Sequence, residues 1–305
     1  MLLAGIAALL AAALFGVSTA LQHRSAGLVS DVCRPSEPLG GFIARTLRHP
    51  LWVIGAVADI GGFALHALAL REGPLTVVQP LLVTSIVFAL VLRQLLERRW
   101  PRRNQLAWAS ALTGGLVLFL TVSTPASGVT QPADPVPATV LGVVIGLGAV
   151  GFFVAGLRRS RGGAAAALLG TSTGLSYAAV AGLLKEDMGL LGRGLGTLAS
   201  SWPFYGLVAV GAFSLVVNQL AYRAGPLSSS LPAIMTVDPI VSLVIGAAVF
   251  DEGFRNGPAQ LLGEAVGLAL VVAAAVGLTR SAHEPARAPG QPASAVAERA
   301  HQEVH

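Results

Sequence analysis

The chain has 305 residues, 54% apolar and only 11% charged, with a net charge of +5. A soluble globular domain carries about 25% charged residues, so this chain has too little polar surface to cover a water-soluble body. The composition points to an all-α polytopic membrane protein; no basic run is interleaved with aromatics, which argues against a nucleic-acid partner, and a single cysteine, Cys33, excludes an intramolecular disulfide and a cysteine metal cluster.

Crossing roughly 30 Å of hydrocarbon takes about 20 apolar residues. Nine stretches qualify: 1–22, 51–71, 74–96, 104–123, 138–157, 163–184, 203–223, 227–250 and 258–279. The first ends in Ser18-Thr19-Ala20, which resembles a signal-peptidase site, but it lacks a basic n-region and a retained helix is favoured. In the loop that follows, Leu39, Phe42, Ile43 and Leu47 form one apolar face with Arg45 and Arg48 elsewhere, the pattern of a short interfacial helix. The gaps between later spans carry breakers or charge, as in "EGP" before 75, "RRWPRR" after 97 and "LRRSR" after 156. Residues 281–305, rich in Ala, Pro, Glu, Gln and His, have no apolar period and are expected to be a disordered cytoplasmic tail.

Lys and Arg in short loops set orientation. With the N-terminus outside, sixteen basic residues fall in inside loops and the tail, and four (Arg71, Lys185, Arg193 and Arg255) fall outside. The opposite topology reverses this ratio. The expected setting is therefore a bacterial-type plasma membrane, N-terminus out and C-terminus in.

The chain also repeats itself. "LALREGPLTVVQPLLVT" (68–84) returns 152 residues later as "LAYRAGPLSSSLPAIMT" (220–236), with eight of seventeen positions identical. Each copy holds a Gly-Pro turn between two spans, where Gly relaxes the backbone and Pro opens the next helix. "GVSTAL" (16–21) also lies near "GTSTGL" (170–175). Spans 1–4 thus recur as spans 6–9, about 1–123 and 163–279 of one 1–280 domain, with 138–157 as connector. Five spans separate each matched pair. An odd number makes the halves opposite in orientation, the inverted repeat of secondary transporters that alternate access around a midplane site.

These residues resemble the drug/metabolite transporter superfamily, built from four-helix units in inverted pairs, and the nine-span count is most similar to its NIPA-type magnesium-transporter branch. The resemblance runs through most of 1–280. It is clearest in "PLWVIGAVADIGGFALHALALREGPLTVVQPL" (50–81) followed by "LLERR" (95–99), and in "NQLAYRAGPLSSSLPAIMTVDPIVSLVIGAAVFDEGF" (218–254). A Glu closing the third helix of each unit is a superfamily habit, and Glu97 and Glu252 stand near those places. The resemblance implies transport of Mg²⁺ or another divalent cation, and carries no ion-ligand motif residue by residue.

Ionisable groups inside a membrane are costly and are functional candidates by default. Three carboxylates fall within spans: Asp59, Asp238 and Glu264. Gly55, Asp59, Gly62 and His66 share one face of the second span. That face suits either a packing stripe or a carboxylate and imidazole turned inward. Asp238 precedes Pro239, which frees a carbonyl one turn earlier; the pair is either a cation ligand set or a plain kink. Glu264, between Gly263 and Gly267, suits an ion pathway or an interhelical hydrogen bond. Asn218 and Gln219, Gln79, Tyr177, and Ser18 and Thr19 matched with Ser172 and Thr173 offer neutral oxygens for a cavity or for helix–helix contact. Glu97 and Glu252 sit near membrane borders and are expected to be solvated. The acidic positions are not repeat-related: 59 falls on Gly211, 238 on Ile86 and 264 on Leu112.

The candidate pathway set is therefore Asp59, His66, Asn218, Asp238 and Glu264, with Asp59 and Asp238 as metal ligands. The leading expectation is a secondary transporter of Mg²⁺, which keeps much of its water and needs one or two carboxylates. A proton-coupled exporter of a small metabolite or drug is the alternative, and a non-transporting scaffold the third reading. No H-E-x-x-H, G-x-S-x-G or Gly-rich phosphate loop occurs in context, so no enzyme and no resident cofactor are expected. The lipid bilayer is the expected partner beside a small substrate, and homodimerisation is left open.

Overall fold

The computed structural model describes residues 2–32, 48–97, 102–122, 135–159, 162–225, 227–252 and 257–283, with single positions 45, 100 and 129. Cys33, the 39–47 segment apart from Arg45, Arg98, Arg99, the Glu97 side chain and the tail beyond 283 lie outside the described residues. The helices are α1 (Leu2–Val32), α2 (Pro50–Glu72), α3 (Leu75–Leu82), α4 (Ser85–Glu97), α5 (Arg103–Val122), α6 (Pro135–Leu157), α7 (Gly163–Leu191), α8 (Leu195–Ala199), α9 (Trp202–Ala224), α10 (Leu227–Val249) and α11 (Pro258–His283). Nine membrane spans are present among the described residues, α3 and α4 together making the third. The protein is an all-α polytopic membrane protein. Val53, Ile54, Val57 and Ile60 on α2, and Val143, Val144 and Leu147 on α6, stand exposed, an apolar exterior suited to a lipid bilayer.

Two spans differ from expectation. The seventh helix runs to Leu191, so Lys185, expected in an outside loop, lies inside it at 3% exposure. The third span is broken. Pro80 cannot donate to the carbonyl one turn back, and the Thr84 backbone N–H and hydroxyl both turn to the Leu81 carbonyl, at 3.1 and 2.7 Å. In α10 the Thr236 hydroxyl instead reaches back a full turn to the Pro232 carbonyl at 2.7 Å. That bond is compatible with continued helix, and α10 runs unbroken through Pro232 and Pro239.

The two halves pack alike. α1 lies along α2 and against α3–α4; α7 lies along α9 and α10; α5 and α11, each the last span of its half, pack on one another; α6 rests on α7. Small residues make these approaches possible. A Cβ on Gly16 would meet the Ser85 carbonyl at 2.6 Å, and one on Gly174 would meet Val237 Cβ at 2.9 Å. A Cβ on Gly73 would meet Ala4, and one on Gly225 would meet Gly162. Ser85 and Val237, like Gly73 and Gly225, stand 152 residues apart. Equivalent contacts therefore match Gly16 to Gly174 and Ala4 to Gly162. The similarity of "GVSTAL" to "GTSTGL" sets the first and sixth spans one helical turn out of register, and Ser18 corresponds to Ser176 rather than Ser172.

Candidate functional site

Asp59 on α2 is within hydrogen-bonding reach of the Ser18 hydroxyl on α1, which also accepts from Gln22 Nε2 at 2.9 Å. Asp238 on α10 takes a hydrogen bond from Ser242, one turn on, at 3.2 Å. Both carboxylates lie close enough to Tyr177 on α7 to interact with it electrostatically, as does Tyr222 on α9. Asn218, one turn before Tyr222, is within hydrogen-bonding reach of the Tyr222 hydroxyl; its own Oδ1 is buried without a partner. Asp59, Tyr177, Asn218, Tyr222 and Asp238 are half-buried: helices surround them, yet each keeps accessible surface. No Lys or Arg is among the groups that act on Asp59, Tyr177, Tyr222 and Asp238. Two carboxylates, one from each half, thus act on the same phenol in a polar cluster with no Lys or Arg acting on it among the described residues, a place that attracts positive charge.

The other candidates lie elsewhere. Gly55, Gly62 and His66 turn toward α1: a Cβ on Gly55 would meet Gln22 at 3.0 Å and one on Gly62 would meet Phe15 at 2.8 Å. His66 is 7% exposed, meets the Phe15 ring edge-on at 6.3 Å, and its Nε2 has no hydrogen-bond partner. Glu264 is buried on α11, between Gly263, which packs on Val122, and Gly267, which packs on Phe119 and Gly115. It belongs to the α5–α11 seam. No group of three or more His, Cys, Asp or Glu side chains able to hold a metal occurs among the described residues.

Glu252, expected to be solvated, is 1% exposed. The chain leaves α10 with Asp251 in the left-handed region, φ 50°, and the Phe250 and Glu252 N–H groups both donate to the Gly246 carbonyl. This turn sends Glu252 inward. Its two carboxylate oxygens accept from the Leu75 and Thr76 backbone N–H groups, each at 2.8 Å. Those donors open α3, whose N-cap is Pro74 with no side-chain cap of its own. Lys185 on α7 donates to the same carboxylate, approaches the Gly73 carbonyl at 3.5 Å, and lies 5.2 Å from the centre of the Phe250 ring. One helical step away, both oxygens of Asp187 are buried without partners.

The Glu252–Lys185 pair and Tyr222 were missed in the sequence. The signal for the first was present in "GLLKEDMGLL" (182–191), an apolar pattern that continues through its charges as a helix does. Glu252 gave no local signal, because its partners are backbone groups 177 and 176 residues away.

A protein from Corynebacterium glutamicum, named as an uncharacterized protein, is 29% identical to this chain over 291 residues, covering 93% of this chain and 97% of its own length. No family model and no solved structure matches the chain.

Proposed function

We propose that the protein is a secondary transporter that moves a small cation by alternating access. The observation that carries the reading is the meeting of Asp59, from the first half, and Asp238, from the second, around Tyr177 with no basic group beside them. Carboxylates drawn from two repeats change their relation to one another whenever one repeat rocks against the other, which is how a midplane site trades one access path for the other. Both sit at similar depth. At 1.5 Å per residue, Asp59 is about 20 Å along α2 from the Gly73 turn, and Asp238 about 17 Å along α10 from its end.

Mg²⁺ or another divalent cation is the leading cargo. A partly hydrated Mg²⁺ needs one or two carboxylates, neutral oxygens and water, and the resemblance to NIPA-type transporters supports the same choice. Inward movement would be driven by the membrane potential, about 2.3 kcal/mol per charge per 100 mV. The two phenol rings favour one competing cargo, an organic cation exchanged for protons, since a ring face attracts a weakly hydrated cation.

The test is Mg²⁺ uptake into proteoliposomes under an imposed potential, with Asp59→Asn and Asp238→Asn run alongside. Flux in the parent protein, lost in either variant while each remains folded, is the expected result. No flux from intact, folded protein rejects Mg²⁺ and leaves the proton-coupled organic cation, assayed by the same two variants.

A further inference from the structure

The two halves touch differently at the two ends of the molecule. At the end bearing Gly73, buried side chains from both halves interlock: Leu70, Leu75 and Val78 with Ala181, Leu184 and Phe250. The first part of the third span, α3, packs on α10 there. A Cβ on Gly246 would lie 2.6 Å from Glu252 Oε2 and 2.9 Å from Thr76 Cγ2, so no space separates the halves. At the end bearing Gly225, away from the α5–α11 seam, the contacts found among the described residues stay within a half. The Gly162 N–H donates to the Ala224 carbonyl at 2.8 Å, Leu169 packs with Val217 and Ala221, and Arg24 donates to the Leu96 carbonyl at 3.2 Å. The α5–α11 seam joins the halves along one side at both levels, through Gly263 against Val122 and Gly277 against Trp108. It leaves the faces of α3–α4 and α10 free to part away from the Gly73 end.

We propose that Glu252 and Lys185, seated on the opening turn of α3, form a latch that shuts the Gly73 end of the interface between the halves, so that Asp59, Tyr177 and Asp238 are reached from the Gly225 end until the latch breaks. Three features fit a latch better than ordinary glue. It bridges the halves, since Leu75 and Thr76 belong to one and Lys185 and Glu252 to the other. Its partners are charged and buried, so it holds firmly when closed, and parting the halves would hydrate both ions, which lowers the penalty of separation. The carboxylate binds backbone N–H groups at a helix start, a charge-assisted contact that a small rotation of α3 removes at once. The inference rests on the transport reading for its consequence but not for its test.

The test is side-specific labelling. In a Cys33→Ser background, Asn218→Cys reports on access to the polar cluster, and a membrane-impermeant maleimide is offered from each side of oriented vesicles. The latched protein is expected to label from the Gly225 end. Lys185→Met, and separately Gly246→Val, which wedges the latch without removing a charge, are expected to raise labelling from the Gly73 end about tenfold, a population shift of the size one coupling can produce. Thr76→Cys with Gly246→Cys, close enough for a disulfide, is expected to abolish Gly73-end labelling of Asn218→Cys, read at that residue by peptide mapping, when oxidised and restore it on reduction. Folding is checked by monodispersity in detergent. If folded Lys185→Met and Gly246→Val both label as the latched protein does, or if the oxidised disulfide leaves Gly73-end labelling intact, the latch is refuted. If labelling shifts as expected while no cation moves in proteoliposomes, the latch stands and the transport reading fails.

Discussion

Removing the carboxylate alone from the Lys185–Glu252 pair is expected to destabilise the protein far more than removing both charges. Their side chains are 4% and 0% exposed. In Glu252→Gln the ammonium of Lys185 stays buried with only the Gly73 carbonyl at 3.5 Å and the Phe250 ring for company, and breaking a buried pair in this way costs about 3–5 kcal/mol. Lys185→Met removes the cation but leaves the carboxylate held by two backbone donors at 2.8 Å; the loss should be about 1–3 kcal/mol. In the double variant no charge remains, the Gln amide oxygen still accepts from the start of α3, and Met fills the lysine stem. The expected loss is then about 1–2 kcal/mol, which leaves a coupling of at least about 2 kcal/mol between the sites. Equilibrium unfolding in mixed micelles, followed by far-ultraviolet circular dichroism, measures all four states of the cycle. Losses that simply add would refute the reasoning, because they would mean that neither ion depends on the other.

The α5–α11 seam and the connector give a matched pair of packing predictions. A Cβ on Gly267 would lie 2.8 Å from Phe119 N and 3.0 Å from the Gly115 carbonyl, whereas one on Gly146 would meet nothing within 4 Å; Gly267→Leu should cost at least about 1–3 kcal/mol and Gly146→Leu within about 0.5 kcal/mol, as read by the same unfolding assay. His66 carries a buried, unpartnered Nε2 beside Phe15, so His66→Leu should hold or raise stability by about 1 kcal/mol and leave flux in proteoliposomes unchanged. A folded His66→Leu protein with no flux would return His66 to the ion pathway.

The spans were legible because each is a local property: a run of some twenty apolar residues says helix and membrane together. The Gly-Pro turns were legible for the same reason. What the sequence hid was non-local. Glu252 follows an apolar helix and precedes Gly253, a setting that reads as a solvated end; only the distant N–H groups of Leu75 and Thr76 make it a buried cap. Lys185 was lost to a boundary drawn at the first cluster of charge, although Leu190 and Leu191 continue the helix beyond it. The carboxylates were legible only in part. Asp59 and Asp238 are marked by the expense of burying charge, and both act on Tyr177; Glu264 carries the same mark yet belongs to the seam with α5. Tyr222 passed unnoticed because a tyrosine near a span end is ordinary at a membrane interface. The alignment of α1 on α7 failed in another way. Similar letters fixed the register one turn out, while Gly16 and Gly174, which bear the matching contacts, were overlooked.

The latch also explains why near-symmetric halves need not spend equal time in their two arrangements. A perfect inverted repeat would close either end with the same groups and would favour neither. Here the repeat carries the turns and the packing glycines across the halves but not the ions. Under the contact-based register Lys185 falls on Gly27, and Glu252 falls on Trp100, which is 94% exposed. Neither counterpart can supply a cation or a carboxylate, so the Gly225 end has no equivalent pair at those positions. If the latch acts as proposed, the shut Gly73 end is favoured by chemistry that exists once, and a transported cargo would have to offset that preference to change the side of access. A ligand moves such an equilibrium only through its differential affinity for the two arrangements. A cation drawing Asp59 and Asp238 together has that difference available, because the two carboxylates ride on different halves.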